Sequence, residues 1–98
     1  MTRRRTDRNQ AEIMAGLRAA GVHVTDTSMV GGGFPDLVCG FGGGLGGART
    51  VLLEIKDPLQ PPSKRQLTPH QREWHAAWCG GPVAVVTDLE GALRACGV

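Results

Sequence analysis

Apolar positions along the chain first become periodic between residues 13 and 20. Ile13, Leu17 and Ala20 recur at helical spacing, Met14 lies beside them, and Gly21 closes the run. Asp7 with Gln10 three residues later matches a capping box, so the expected helix opens there. "VHVTDT" alternates with period two and puts Val22 and Val24 on one face, as a strand does. Gly31, Gly32 and Gly33 break the chain before "PDLVCG", a second short strand. "FGGGLGG" is a turn, and "RTVLLEIK" carries the strongest strand pattern in the sequence. A proline-rich loop, "DPLQPPSKRQ", leads into a second helix, with Thr68 as N-cap, Pro69 in the first position and Gln71 completing another capping box. Trp74, Ala77 and Trp78 mark its expected apolar face. Gly80 and Gly81 stop it, "PVAVVT" reads as a strand, and Asp88 caps a short last helix through Ala95. The order helix, three strands, helix, strand, helix predicts an α/β domain over 1–98, a mixed β-sheet flanked by helices.

Two of these apolar stretches carry charge where a strand is normally buried. Asp36 opens the first, and Glu54 and Lys56 close the second. An ionised carboxylate buried alone is costly enough that it neutralises, pairs or binds metal. Alternation puts Leu52, Glu54 and Lys56 on one face and Val51, Leu53 and Ile55 on the other, with Glu54 and Lys56 about 6–7 Å apart. If the two strands pair antiparallel through the glycine turn, Asp36 lands beside Glu54 and Lys56. Two carboxylates and an ammonium suit a hard divalent cation, which takes oxygen ligands and leaves positions for water and substrate phosphate. They also suit an ion pair, Glu54–Lys56 or Asp36–Lys56, with no chemistry.

Composition narrows the partners. The formal charge is only +2, but it is unevenly spread. Arg3, Arg4, Arg5 and Arg8 cluster at the start, in a segment (1–6) expected to be flexible, and Lys64, Arg65 and Arg72 cluster later. Such patches favour polyanions, because neutralising phosphates releases counterions; a solvated tail and loop is the plain alternative. No run reaches the roughly 20 apolar residues that span a bilayer, so no membrane partner is expected. "MTRRRTDRNQ" lacks the hydrophobic segment of a secretory signal. Three widely spaced cysteines suit reduced thiols in a cytoplasm.

Pro35-Asp36, followed by Glu54-Ile55-Lys56 at the end of a hydrophobic strand, resembles the signature of the PD-(D/E)xK nuclease superfamily. The run "RNQAEIMAGLRAAGVHV…GGGFPDLVCG…LLEIKD…PSKRQLTPHQREWHAAWCGGPVAVV" is similar to the stand-alone VRR-NUC members of phages and bacteria, from about Arg8 to the last helix. The resemblance implies a restriction-endonuclease-like core and Mg²⁺- or Mn²⁺-dependent hydrolysis of DNA phosphodiester bonds, leaving a 5′-phosphate. It further implies selectivity for branched, flap or Holliday-junction DNA, a homodimer, no nucleotide cofactor, and a bacterial or phage-infected cytoplasm. By the same resemblance Asp36, Glu54 and the main-chain carbonyl of Ile55 are metal ligands and Lys56 is the catalytic lysine. Glu12 matches the extra acidic residue of the family's first helix, a further catalytic and metal-binding position, and Gln71 matches the glutamine after the core motif. Glu12 equally fits an exposed helix charge, and Gln71 has a structural role available as the partner of Thr68. The loop from Ser63 to Gln66 would face the substrate backbone, with Lys64 and Arg65 on phosphates and Arg72 and Arg8 adding charge. So small a chain leaves no room for a separate sequence-reading domain, so recognition should rest on backbone shape and charge.

Other signals are weaker. Gly42, Gly44 and Gly47 satisfy G-x-G-x-x-G but lead into a strand, whereas a dinucleotide fingerprint opens a helix. His75 and Cys79 share a helix face but lack further zinc ligands at suitable spacing. Cys39 reads as a packed thiol, and Trp74 and Trp78 as core or interface rather than base-stacking residues. The alternative to a nuclease is a non-catalytic nucleic-acid-binding or assembly module in which the acidic pair is structural.

Overall fold

The computed structural model describes residues 9–42 and 47–98. The basic positions Arg3, Arg4, Arg5 and Arg8, the expected cap Asp7, and Gly44 lie outside the described residues. The elements follow the expected order: α1 (Gln10–Ala19), β1 (His23–Asp26), β2 (Leu37–Phe41), β3 (Arg49–Ile55), a 3₁₀ turn (Pro62–Lys64), α2 (Pro69–Ala77), β4 (Val83–Val86) and α3 (Leu89–Cys96). Among the described residues no helix is long and apolar enough to cross a membrane.

The four strands form one mixed sheet in the order β1-β2-β3-β4. β1–β2 and β2–β3 are antiparallel, while β4 runs parallel to β3. A parallel neighbour needs a crossover rather than a tight turn, and α2 lies within that crossover. Across β2–β3, Leu37 stands opposite Leu53 and Cys39 opposite Val51. Asp36 immediately precedes this ladder, and Glu54 follows Leu53 within β3.

The faces of β3 divide as period-two alternation requires. Val51, Leu53 and Ile55 join Ile13, Leu17, Leu37 and Cys39 in the hydrophobic core, on the face covered by α1 and α3. Leu52, Glu54 and Lys56 are also buried, at 5%, 1% and 8% exposure, on the face toward α2. Cys39 and Cys96 meet inside the core, and burial pushes the Cys39 thiol up to about 12, so it is packed rather than nucleophilic.

Three expectations need revision. The N-cap of α1 is Asn9, and it does not cap with its side chain. Its Nδ2 instead donates to Lys56 O (3.1 Å) and Thr87 O (2.8 Å), fastening the start of α1 to the ends of β3 and β4. Second, of the two roles expected for Trp74 and Trp78, core or interface, the core role does not hold: α2 has no buried residue, and Ala77 and Trp78 are exposed. Third, Gly31, Gly32 and Gly33 are more than a break in the chain. All have positive φ (81°, 65° and 86°), a region costly to residues bearing a Cβ. Gly33 in addition lies directly against the His70 carbonyl, where a Cβ would overlap the first turn of α2.

Gly32→Ala should therefore cost about 1–2 kcal/mol, the left-handed backbone alone, since its Cβ would meet nothing within 4 Å. Gly33→Ala should cost clearly more, because α2 must also shift. Urea unfolding of both variants measures the difference, and equal losses would mean that α2 is not seated on Gly33.

Candidate active site

Asp36 immediately precedes β2 and is 8% exposed. Its Oδ2 accepts a hydrogen bond from the Ile55 N–H at 2.8 Å. That bond pins the carboxylate to the backbone one residue past Glu54. Its own main chain is held from the other side, where Thr27 N–H donates to Asp36 O and the Thr27 hydroxyl donates to Pro35 O, both at 2.8 Å. Glu54 is buried at the end of β3, and Lys56 continues the ladder by donating its N–H to Val86 O at 2.9 Å.

Gln71, at the third position of α2, connects these groups. The capping box is complete: Gln71 N–H donates to Thr68 Oγ1 (3.2 Å), and Thr68 N–H donates to Gln71 Oε1 (2.9 Å). The same Oε1 accepts from Lys56 Nζ at 2.7 Å, while Gln71 Nε2 donates to Glu54 Oε2 at 3.0 Å. Only this amide orientation serves both sides, because an ammonium and a main-chain N–H can only donate and an ionised carboxylate can only accept. Capping and site-bridging, set as rivals in the sequence, are performed by one side chain.

His75 lies one helical turn beyond Gln71, an i, i+4 neighbour on the same side of α2. Its Nε2 is buried without a hydrogen-bond partner among the described residues. Burial, and then the positive charge of Lys56, hold its imidazole below the usual range. Sequence reasoning gave His75 no place here; the i, i+4 relation to Gln71 was the signal that could have found it. Asn9 was also missed, and nothing local in the sequence discloses that α1 begins beside Lys56.

Other candidate residues lie nearby but outside the bridge. Glu12 is exposed and lines an adjoining cleft of about 410 Å³ with Asp57, Leu59 and Asp88. Lys64 and Arg72 are exposed and Arg65 is half-buried, all on the segment that leads into and forms α2; Arg72 Nη2 donates to Leu67 O at 3.4 Å. His75 and Cys79 gather no further metal ligands among the described residues.

The donor set at the strand end fits a hard cation. It presents two carboxylates, one in β3 and one just before β2, beside the Ile55 main chain, against one ammonium, a formal excess of one negative charge in a nearly dry place. Among the described residues no third acidic, histidine or cysteine side chain joins them as a metal-holding group. One or two carboxylates, with water and substrate completing the sphere, is the usual protein share of a Mg²⁺ site. No protein-family model, no curated protein and no solved structure matches this chain.

Gln71→Ala should lower stability by about 1–3 kcal/mol, since it removes the cap and the bonds to Lys56 and Glu54 together. Thr68→Ala, which loses only the hydroxyl half of the cap, should cost about 1 kcal/mol. Equal losses in urea unfolding would show that the bridge adds nothing.

The depressed His75 imidazole gives a pH dependence of known sign. As pH falls through 6.5, the unfolded chain takes up a proton that the folded chain resists, so stability falls from neutral toward pH 5.5. His75→Gln removes that contribution, and thermal unfolding at both pH values should show a smaller difference than in the wild type. An unchanged difference would contradict the placement of His75.

Proposed function

We propose that this chain is a divalent-metal-dependent endonuclease that hydrolyses DNA phosphodiester bonds on a restriction-endonuclease-like core. The observation that carries the reading is the Gln71 amide joining Lys56 to Glu54, with the Asp36 carboxylate bonded to the N–H of the next residue, Ile55. The resemblance of Pro35-Asp36 and Glu54-Ile55-Lys56 to the PD-(D/E)xK signature, and of the longer run to VRR-NUC nucleases, supports the same conclusion. Asp36, Glu54 and the Ile55 carbonyl would hold Mg²⁺ or Mn²⁺. When bound, the ion supplies Lewis-acid stabilisation of phosphoryl charge and lowers the pKa of water.

The chain's own residues supply the rest. Lys56, aimed by Gln71, presents an ammonium to charge that builds on the phosphoryl oxygen. The Ile55 N–H holds the Asp36 carboxylate in place, and Asn9 holds the Lys56 carbonyl, so neither group reorganises during the reaction. In the reaction water oxygen bonds to phosphorus and gives up a proton, the P–O3′ bond breaks, and the leaving O3′ takes a proton, so that one water yields a 5′-phosphate and a 3′-hydroxyl. Lys64, Arg65 and Arg72 flank the path of the phosphates. Glu12, in the adjoining cleft, is not needed for this set. Homodimerisation and selectivity for branched, flap or Holliday-junction DNA belong to the same proposal and rest on the resemblance.

The bonds through Gln71 also favour a second reading, a nucleic-acid-binding module whose polar network is only structural. Cleavage of duplex, flap and four-way-junction DNA in Mg²⁺ or Mn²⁺ separates the two. The nuclease reading expects activity abolished by chelator and reduced about 10²-fold or more by Lys56→Met, with Asp36→Asn and Glu54→Gln at least as severe and circular dichroism unchanged. Cleavage by folded variants at the wild-type rate would overturn it; DNA binding without cleavage in either metal would establish the module.

A further inference from the structure

Trp74 and Trp78 are the chain's two tryptophans, it has no tyrosine, and neither indole lies in the core. Trp78 is 38% exposed. The two rings stack with centroids 4.9 Å apart and planes 18° apart, and Phe34 meets Trp74 edge-on at 5.1 Å. A groove of about 310 Å³ runs beside Trp74, bounded by Gly32, His70, Glu73, Trp74 and Ala77. The loop that leads to Phe34 adds Met29 and Val30, 70% and 63% exposed. Aromatic side chains are the largest apolar surfaces a chain can bury. Trp74 is half-buried on α2, and Trp78, at its C-cap, is exposed and donates its indole N–H to Gly81 O at 2.9 Å.

Position and charge indicate what covers them. Gln71, Trp74, His75 and Trp78 follow i, i+3, i+4 and i+7, so one stripe runs from the Glu54–Lys56 bridge to the stacked indoles. At about 1.5 Å per residue, Trp74 lies about 4–5 Å and Trp78 about 10 Å along the axis from Gln71. Stacked bases repeat at about 3.4 Å, so the step stands one to three nucleotides from a phosphate at the site. Lys64 and Arg72, exposed on the approach to α2 and on α2 itself, complement a phosphodiester chain rather than the apolar face of a protein. Glu73 offers the groove an acceptor for exocyclic amines. Every base presents a π face, and stacking on aromatic side chains is how unpaired strands are held without regard to sequence.

We propose that Trp74 and Trp78, buttressed by Phe34, are a stacking platform for unpaired bases of a DNA strand whose phosphate lies at the Asp36–Glu54 site. The proposal rests on the nucleic-acid reading above and deepens it. The platform selects DNA that offers unpaired nucleotides next to the phosphate attacked, and a continuous duplex, whose bases are already stacked, cannot use it.

Intrinsic fluorescence arises from these two indoles, so binding at the platform is read directly. The full chain is titrated in chelator, where metal-dependent cleavage is silent, with a short oligothymidylate, an abasic strand of equal length, and a duplex. The platform predicts quenching by oligothymidylate and an affinity about 5- to 100-fold above that for the abasic strand. Trp78→Leu keeps apolar bulk without the ring and should erase about fivefold or more of that advantage, leaving abasic binding and circular dichroism unchanged. Equal affinity for the two strands, or no quenching, overturns the proposal without a variant. So does a Trp78→Leu chain that sediments as a monomer where the wild type is a dimer yet binds oligothymidylate as before, since the stripe is then a self-association face. Base-dependent quenching in a chain that never cleaves DNA would keep the platform and remove the catalytic reading. Cleavage with no preference for bases over an abasic strand would do the reverse.

Discussion

One primary amide holds the polar half of this molecule together. Asp36, Glu54 and Lys56 sit almost out of water at one end of the sheet. Uncompensated, groups of this kind would cost the fold several kcal/mol each. Gln71 answers part of that cost with both of its polar atoms: Oε1 takes the Lys56 ammonium and the Thr68 N–H, and Nε2 gives to Glu54. It does so only while the first turn of α2 stands where it does. That position depends in turn on Gly33, which lets the loop before β2 touch the His70 carbonyl, and on Phe34 against Trp74.

The sheet is consequently two different kinds of surface. On one face Leu, Ile, Val and Cys side chains pack with α1 and α3 into a dry core. On the other, α2 buries none of its residues and is held by hydrogen bonds, one tight backbone contact and ring edges. Elements with few buried apolar contacts open at low free-energy cost, and binding segments are drawn from that end of the stability range. The division gives a physical reason for the proposed chemistry to lie on the α2 face: the core face anchors β2 and β3, while the α2 face is held by polar contacts through Gln71.

Local patterns made much of this legible. Period-two alternation is a property of a strand by itself, so the two faces of β3 were readable, and a glycine turn between two strands implied the antiparallel β2–β3 pairing, which brings the Asp36 carboxylate to the Ile55 N–H. The caps of α2 and α3 were equally local, and Thr68 and Asp88 both accept the expected backbone N–H. What was not legible depends on where separate elements meet. Asn9 reads as an ordinary polar residue until α1 is laid beside the ends of β3 and β4. Trp74 and Trp78 have helical spacing that looks like a core face, and only the thin packing of α2 shows otherwise. Gln71 posed a false choice, because a glutamine that caps with one lone pair of Oε1 keeps the second lone pair and its whole amino group.

If the proposed function holds, Asp36 and Glu54 share one divalent cation. Anomalous scattering from crystals grown with Mn²⁺ tests this. One Mn²⁺ between the Asp36 and Glu54 carboxylates, with the Gln71 amide still on Lys56, is the expected result. An ion held instead in the cleft of Glu12 and Asp57, or no ion between the two carboxylates at saturating Mn²⁺, would contradict it.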